Sequence, residues 1–207
     1  MKVVILGSGT TAKSVANILI ENKTINIAGF LGNDEDALKY ENKNVIYDIP
    51  FLGTYELLKY LEKDQIKGFV VAIGDIRKKE ELYFKSCSLN LIPISAISKY
   101  AIISNTAKIY HGSIIKSGAI IGHNVRLFQN VKIDTNAVIE INSEIGANST
   151  IGISSVINGE CKIKKNVQIG SKVLVKSYMN IGKNQIVKDG QIVSFNLEDL
   201  ERDELLK

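Results

Sequence analysis

The chain of 207 residues has no tryptophan, two cysteines and two histidines. No segment approaches the about 18 consecutive apolar residues of a membrane-spanning helix. Each scarcity removes a class of protein. Cys87 and Cys161 lie far apart and form no metal-ligand spacing, so neither a disulfide framework nor a cysteine metal site is indicated; both read as packing residues in a reduced compartment. No metal site is expected anywhere. The opening Met1-Lys2-Val3-Val4-Ile5-Leu6-Gly7 is too short an apolar run for a signal-peptide core and has no cleavage pattern. A soluble, cytoplasmic protein without a membrane partner is expected. The net charge of +4 is mild and the 26 basic residues are spread along the chain, which argues against a nucleic-acid partner and leaves small anionic ligands open.

Against these absences stands a strict period. Sixteen aliphatic residues follow one another six apart without a slip, from Ile103, Ile109, Ile115 and Ile121 to Ile181, Val187 and Val193. A six-residue period fits neither an α-helix nor a heptad coiled coil; it is the signature of a β-helix built from hexapeptide repeats. Three hexads make one triangular coil, so residues eighteen apart stack in adjacent rungs about 4.8 Å apart. Four positions after each aliphatic residue comes a smaller one, such as Ala107, Ser113, Ala119, Ser149 or Cys161, to fill the narrow interior. Asn124, Asn130, Asn136, Asn142, Asn148 and Asn166 fall at the corners, where asparagine tolerates the left-handed conformation that tight turns demand. An unbroken stack puts any active site on the outer faces, where a neighbouring subunit has to enclose it, so an oligomer is expected.

The first half reads differently. Val3–Leu6 is a buried strand, followed by the turn Gly7-Ser8-Gly9-Thr10-Thr11-Ala12 and a helix with Val15, Ile18 and Leu19 on one face. Further strands at 25–30 and 69–73 alternate with helical patterns at 55–62 and 77–88, as a parallel sheet requires. The expected organisation is therefore an α/β Rossmann-like unit over residues 1–95, an all-β left-handed parallel β-helix over 96–197 and a tail over 198–207. A glycine turn feeding a helix N-terminus suits a phosphate. The acidic residue that usually follows the second strand is present but late, at Asn33-Asp34, and about ninety residues are too few for two mononucleotide halves. A mononucleotide is favoured over a redox dinucleotide. A second loop, Ile73-Gly74-Asp75-Ile76-Arg77, offers backbone approach at Gly74 and a guanidinium at Arg77 for a phosphate. Equally, Asp75 caps the following helix and Arg77 is solvated.

In the order of its parts the sequence resembles the nucleotide-sugar acyltransferases, mostly amino-sugar N-acetyltransferases, with sialic-acid O-acetyltransferase-like members. The resemblance rests on Val4-Ile5-Leu6-Gly7-Ser8-Gly9, Gly29-Phe30-Leu31, Val71-Ala72-Ile73-Gly74-Asp75, Leu91-Ile92-Pro93-Ile94-Ser95-Ala96 and the hexads. It implies a homotrimer with active sites between subunits. It also implies a nucleotide-linked amino sugar, with uridine the commoner base, held by Gly7, Ser8, Gly9, Thr10, Thr11, Asn33, Asp34, Gly74, Asp75 and Arg77. Acetyl-CoA is the implied acyl donor, lying along the β-helix near Thr150, Gly152, Gly159, Gly170 and Lys172.

The departure from the family falls on the chemistry. The slot of the family's basic histidine holds Ile141, that of its acidic partner holds Asn142, and a second histidine that contacts the acetyl donor is Thr150. A positioned base contributes about 10²–10⁴-fold. A hydroxyl acceptor suffers badly without one, whereas a neutral amine already attacks and sheds its proton afterwards. N-acylation is thereby favoured over O-acylation of a sugar or sialic acid, and a catalytically silent nucleotide-sugar-binding assembly subunit is the third reading. His123 lies eighteen residues before Ile141, one rung away in the same outward slot. It is the candidate replacement base, with Glu140, Asn142 or Asp134 nearby, set against the alternative of an ordinary surface histidine.

Overall fold

The computed structural model describes residues 1–21, 25–40 and 44–201, the side chains of 62–64 excepted. It has two compact units, Met1–Ala96 and Ile97–Lys207. In the first, strand β1 (Lys2–Leu6) is central, pairing in parallel with β2 (Asn26–Gly32) on one side and β5 (Gly68–Val71) on the other. Val3, Val4, Ile5 and Leu6 are all fully buried. A run of consecutive apolar residues is what a strand covered on both faces needs. The sheet continues outward from β2 through β4 (Ile49–Thr54) and β3 (Asn44–Ile46), and from β5 to β6 (Ile92–Pro93). Helix α1 (Thr10–Ile20) turns Ala12, Val15, Ala16, Ile18 and Leu19 into the core. Helix α3 (Ile76–Ser88) buries Leu82 and Tyr83.

Three local features differ from the sequence expectation. The segment after β4 is a 3-10 helix, Tyr55–Asp64. A short helix α2 (Asp34–Lys39) follows β2; it buries no residue, so it has no apolar stripe to reveal it, and it is held by a capping box between Asn33 and Asp36. Strand β3 pairs antiparallel with β4, an edge addition to the otherwise parallel sheet.

In the second unit each hexad supplies one two-residue strand, whose second residue points inward. The first face runs from Ile102–Ile103 to Ile192–Val193, the second from Lys108–Ile109 to Asn180–Ile181 and the third from Ile114–Ile115 to Ile186–Val187. All pairings among these strands are parallel and eighteen residues apart, as in Ile121↔Ile139, Leu127↔Ile145 and Ile133↔Ile151. From Ile115 onward the inward aliphatic residues are buried, while Ile103 and Ile109 in the first coil are partly covered. From Gly112 onward the corners adopt positive φ at one residue each, Asn124 (55°), Asn130 (57°), Asn136 (57°), Asn142 (58°), Asn148 (63°) and Asn166 (60°) among them.

The small interior residues do more than fill space. Ser149 Oγ donates to Lys164 O (2.8 Å) and accepts from Val167 N (3.0 Å), and Ser155 and Ser143 repeat the pattern. Each hydroxyl thus satisfies a donor and an acceptor that the narrow corner would leave buried and unpaired. Along the second corner Asn130, Asn148, Asn166 and Asn184 form a buried ladder, each amide donating to the next. The end of the expected β-helix and the first residues of the expected tail close over the last coil, where Gly182 N donates to Leu197 O (2.7 Å) and Asn184 Nδ2 to Leu200 O (2.7 Å). Beyond Glu201 the expected tail lies outside the described residues.

Candidate active site

A cavity of about 860 Å³ opens in the first unit, lined by the turn after β1, the loop after β2 and the loop after β5. These are the carboxyl ends of parallel strands, where ligands of open α/β sheets bind. The expected residues Gly7, Ser8, Gly9, Thr10, Thr11, Asn33, Asp34, Gly74 and Asp75 all line it. The glycines divide into two kinds. Gly7 has φ +119°, and a Cβ there would meet Ala72 O at 2.6 Å, so the backbone itself demands glycine. A Cβ on Gly9 or Gly74 would meet nothing within 4 Å. Neither has a positive φ. The fold has no need of glycine at these two places, and the space they leave open faces the cavity.

Gly9 also caps α1 with no side-chain bond, and the first turn of that helix holds no acid. Its leading N–H groups have no intrahelical partner, and together with the helix dipole they favour an anion. Asp75 Oδ1 accepts from Arg77 N and Lys78 N, both at 2.8 Å, so its carboxylate caps α3. Arg77 is exposed and does not line the cavity; Lys78 and Lys85 do, with Lys78 Nζ paired to Glu81 Oε1 at 2.7 Å. The cations on the cavity wall are thus Lys78 and Lys85, which the sequence reading did not select. Asp36 was likewise missed. It accepts from Ser8 Oγ and from Asn33 N (3.1 Å), tying the first glycine turn to α2. Burial, assisted by the Asp36 charge, pushes the Tyr55 phenol in the cavity wall up to about 12, so it is a neutral hydroxyl near neutral pH.

On the β-helix, His123, Glu140, Ile141 and Asn142 share the first corner, which follows the first face. His123 O accepts from Asn142 N (2.9 Å), the expected rung-to-rung register. All four side chains are exposed, Ile141 at 45%. Asn124 Nδ2 donates to Asn142 Oδ1 (3.2 Å) and Asn142 Nδ2 to Glu160 Oε1 (2.6 Å), so a carboxylate sits one coil beyond Asn142. Glu160 was overlooked although eighteen residues separate it from Asn142. The imidazole of His123 leans toward the preceding coil: its Nδ1 lies 2.9 Å from Ser104 Oγ and 3.4 Å from Thr106 Oγ1.

Asp134 does not belong to this group. It sits at the third corner, where its carboxylate is clamped by Lys116 Nζ (2.6 Å) and Lys132 Nζ (2.9 Å) with 10% of the side chain exposed. Burial alone would raise its pKa, but the two ammonium groups outweigh burial and hold it below the usual carboxylate range. An ion-paired acid of this kind is a poor proton acceptor. The residues expected around the acyl donor also divide. Gly152, Gly170 and Lys172 occupy the third corner, next to Thr150 on the third face, whereas Gly159 lies on the first corner with its α-carbon facing Ile141. A Cβ on Gly152 would strike Gly170 C and O at 2.4 Å, and one on Gly170 would strike Asp189 N at 2.7 Å. These two glycines let adjacent coils stack closely. Among the described residues no group of three or more His, Cys, Asp or Glu could hold a metal ion, and no helix is long and apolar enough to cross a membrane.

Residues 2–85 match the family described as the PglD N-terminal domain. No curated protein matches the chain by sequence. Among solved structures, PerB from Caulobacter crescentus, in complex with CoA and GDP-perosamine, is 24% identical with a TM-score of 0.87, over 97% of this chain and 92% of that one. The acetyltransferase domain of PglB from Neisseria gonorrhoeae, in complex with acetyl coenzyme A, is 21% identical with a TM-score of 0.84, over 96% and 93%. WeeI from Acinetobacter baumannii is 18% identical with a TM-score of 0.65, over 96% and 94%. The first domain is thus matched to the PglD N-terminal domain family, and the whole chain has the two-part fold of these proteins, an α/β domain followed by a left-handed β-helix.

Proposed function

We propose that the chain transfers an acetyl group from acetyl-CoA to the amino group of a nucleotide-linked amino sugar, with UDP-linked sugars the first class to test, in the synthesis of a surface glycan. The observation that carries this reading is the cavity at the N-terminus of α1, where Gly9 and Gly74 leave room that the fold itself does not use. A diphosphate suits that room, with the α1 N–H groups, Lys78 and Lys85 as its partners. That PerB binds GDP-perosamine and CoA on the same fold supports both substrate classes and makes GDP-linked sugars the second class to test.

In the reaction, the neutral amine attacks the thioester carbonyl. The resulting N–H proton passes to His123 Nε2, the carbon–sulfur bond breaks, and the thiolate leaves as CoA thiol after taking that proton. Acetyl-CoA supplies the activated acyl group. The residues near it divide between two corners of one chain, His123 on the first and Lys172 on the third, with the first face between them. That face is apolar on its outer side: Ile102 (64% exposed), Ile120, Val138, Val156, Leu174 and Ile192. The equivalent positions of the second face are Lys108, Arg126, Glu144, Lys162 and Asn180. Packing further copies against the first face would hide its apolar stripe and bring the first corner of one chain beside the third corner of another. A homotrimer with three inter-subunit sites, acting in the cytoplasm, follows from this reading.

One observation favours a second reading. Ile141, an exposed aliphatic residue in the family's histidine slot, suits a silent subunit that binds the nucleotide sugar without turning it over. Incubating the protein with acetyl-CoA and a panel of UDP- and GDP-linked amino sugars separates the two. Thiol release that requires the amine is expected; nucleotide-sugar binding with no release from any panel member would favour the silent subunit.

A further inference from the structure

We propose that Ser104 and Thr106 are positioning residues that hold the imidazole of His123 through Nδ1, directing Nε2 outward as the proton acceptor one coil before the family's histidine slot. The inference rests on the acetyl-transfer reading, but its geometry stands apart from it. His123 Nδ1 lies 2.9 Å from Ser104 Oγ, and Ser104 Oγ lies 3.1 Å from Thr106 Oγ1. Two backbone donors fix the hydroxyl pair, Thr106 N on Ser104 Oγ (3.3 Å) and Asn124 N on Thr106 Oγ1 (2.9 Å).

Two tautomers satisfy the hydroxyl pair. With a hydrogen on Nδ1, Ser104 Oγ accepts from Nδ1–H and from Thr106 N–H, which fills both lone pairs. Its own O–H then donates to Thr106 Oγ1, whose second lone pair takes Asn124 N–H. Four hydrogen bonds also close when Ser104 Oγ–H donates to Nδ1 and Thr106 Oγ1–H to Ser104 Oγ; the first arrangement is the one proposed, and in it the only lone pair left on the imidazole is that of Nε2. When Nε2 accepts the proton from the acylated amine, no bond in this set has to break, because Nδ1 was already the donor. In that arrangement the hydroxyl pair does for His123 what a carboxylate does for many catalytic histidines, holding the ring with its hydrogen on Nδ1. Residues 104 and 106 lie on the first corner one coil before Gly122 and Asn124, so the strict eighteen-residue register is what supplies the pair.

The test uses the full chain and two readouts. With only two histidines, the imidazole nitrogens of a ¹⁵N-labelled sample give two spectra, assigned by His111→Gln. The neutral ring of His123 is expected to carry its hydrogen on Nδ1, and Ser104→Ala with Thr106→Val is expected to return the hydrogen to Nε2; a wild-type ring already protonated on Nε2 overturns the proposal. In thiol release, Ser104→Ala is expected to lower kcat roughly tenfold, part of the about 10²–10⁴ that a positioned base supplies, with KM for both substrates unchanged. Ser104→Thr should restore most of the rate. In a His123→Ala background, where the amine still attacks unaided, Ser104→Ala should cost nothing further. Equal losses in both backgrounds would make Ser104 a structural residue only. If wild type releases no thiol with any acceptor, acetyl transfer falls, while the nitrogen spectra still decide whether the pair sets the tautomer.

Discussion

Gly7 and Gly9 sit two residues apart and serve different ends. A methyl group at Gly7 meets a backbone carbonyl and a strained φ, whereas one at Gly9 meets only the cavity. Gly7→Ala should lower stability by about 1–3 kcal/mol, the range for a side chain forced into a disfavoured backbone region, with overlap adding to it. Gly9→Ala should leave the melting temperature unchanged and weaken nucleotide-sugar binding at least tenfold by titration calorimetry; equal affinity would remove the diphosphate from this turn. Asp134 belongs to stability in the same concrete sense. Replacing it by Asn leaves Lys116 and Lys132 close together without a counter-charge, a loss of about 3 kcal/mol for a broken buried pair. Because the folded pKa is lowered, its contribution is complete above the unfolded value of about 3.9 and disappears as pH falls through the folded value. Denaturant midpoints of wild type and Asp134→Asn should differ at pH 6 and converge in acid; a constant gap would contradict the ion-pair assignment.

The elements differ in how plainly the sequence announces them. The hexads were legible to the residue, because one inward aliphatic side chain per strand is a condition of the coil and every slip would expose it. β1 and its glycine turn were legible for a similar reason, a continuous apolar run ending at a residue that only glycine can fill. Helix α2 was not, since its stability comes from the Asn33–Asp36 capping box and it buries nothing. The serine hydrogen bonds were also hidden: Ser149 and Ala137 look alike as small interior residues, and only the corner geometry separates packing from pairing. Ser149→Ala strands Lys164 O and Val167 N inside the coil. A loss of about 1–3 kcal/mol is expected from the denaturant midpoint, the cost of a buried polar group left unsatisfied. Ala137, with no such bonds to lose, should tolerate Ser at smaller cost in the same measurement. His123 as a candidate was legible from register, but the Ser104–Thr106 pair required knowing which way the imidazole leans.

Over the whole molecule, the proposed reaction uses two surfaces, the cavity of the first unit for the nucleotide sugar and the outer faces of the coil for the acyl donor. Neither the apolar stripe of the first face nor the separation of His123 from Lys172 suits a chain acting alone. Val138→Lys, in the middle of the stripe, should convert the assembly to monomers in analytical ultracentrifugation and abolish thiol release. Nucleotide-sugar binding in the first unit should persist. An assembly unchanged by that charge would place the subunit contact on another face. Mass spectrometry of the nucleotide-sugar product decides whether acetyl is transferred. After incubation with acetyl-CoA, an amino-sugar nucleotide should gain one acetyl group on nitrogen, at a rate that His123→Ala lowers about 10²-fold and Ile141→Ala leaves within a few-fold. Recovery of every UDP- and GDP-linked amino sugar unmodified, by a protein that binds one of them, would contradict the account.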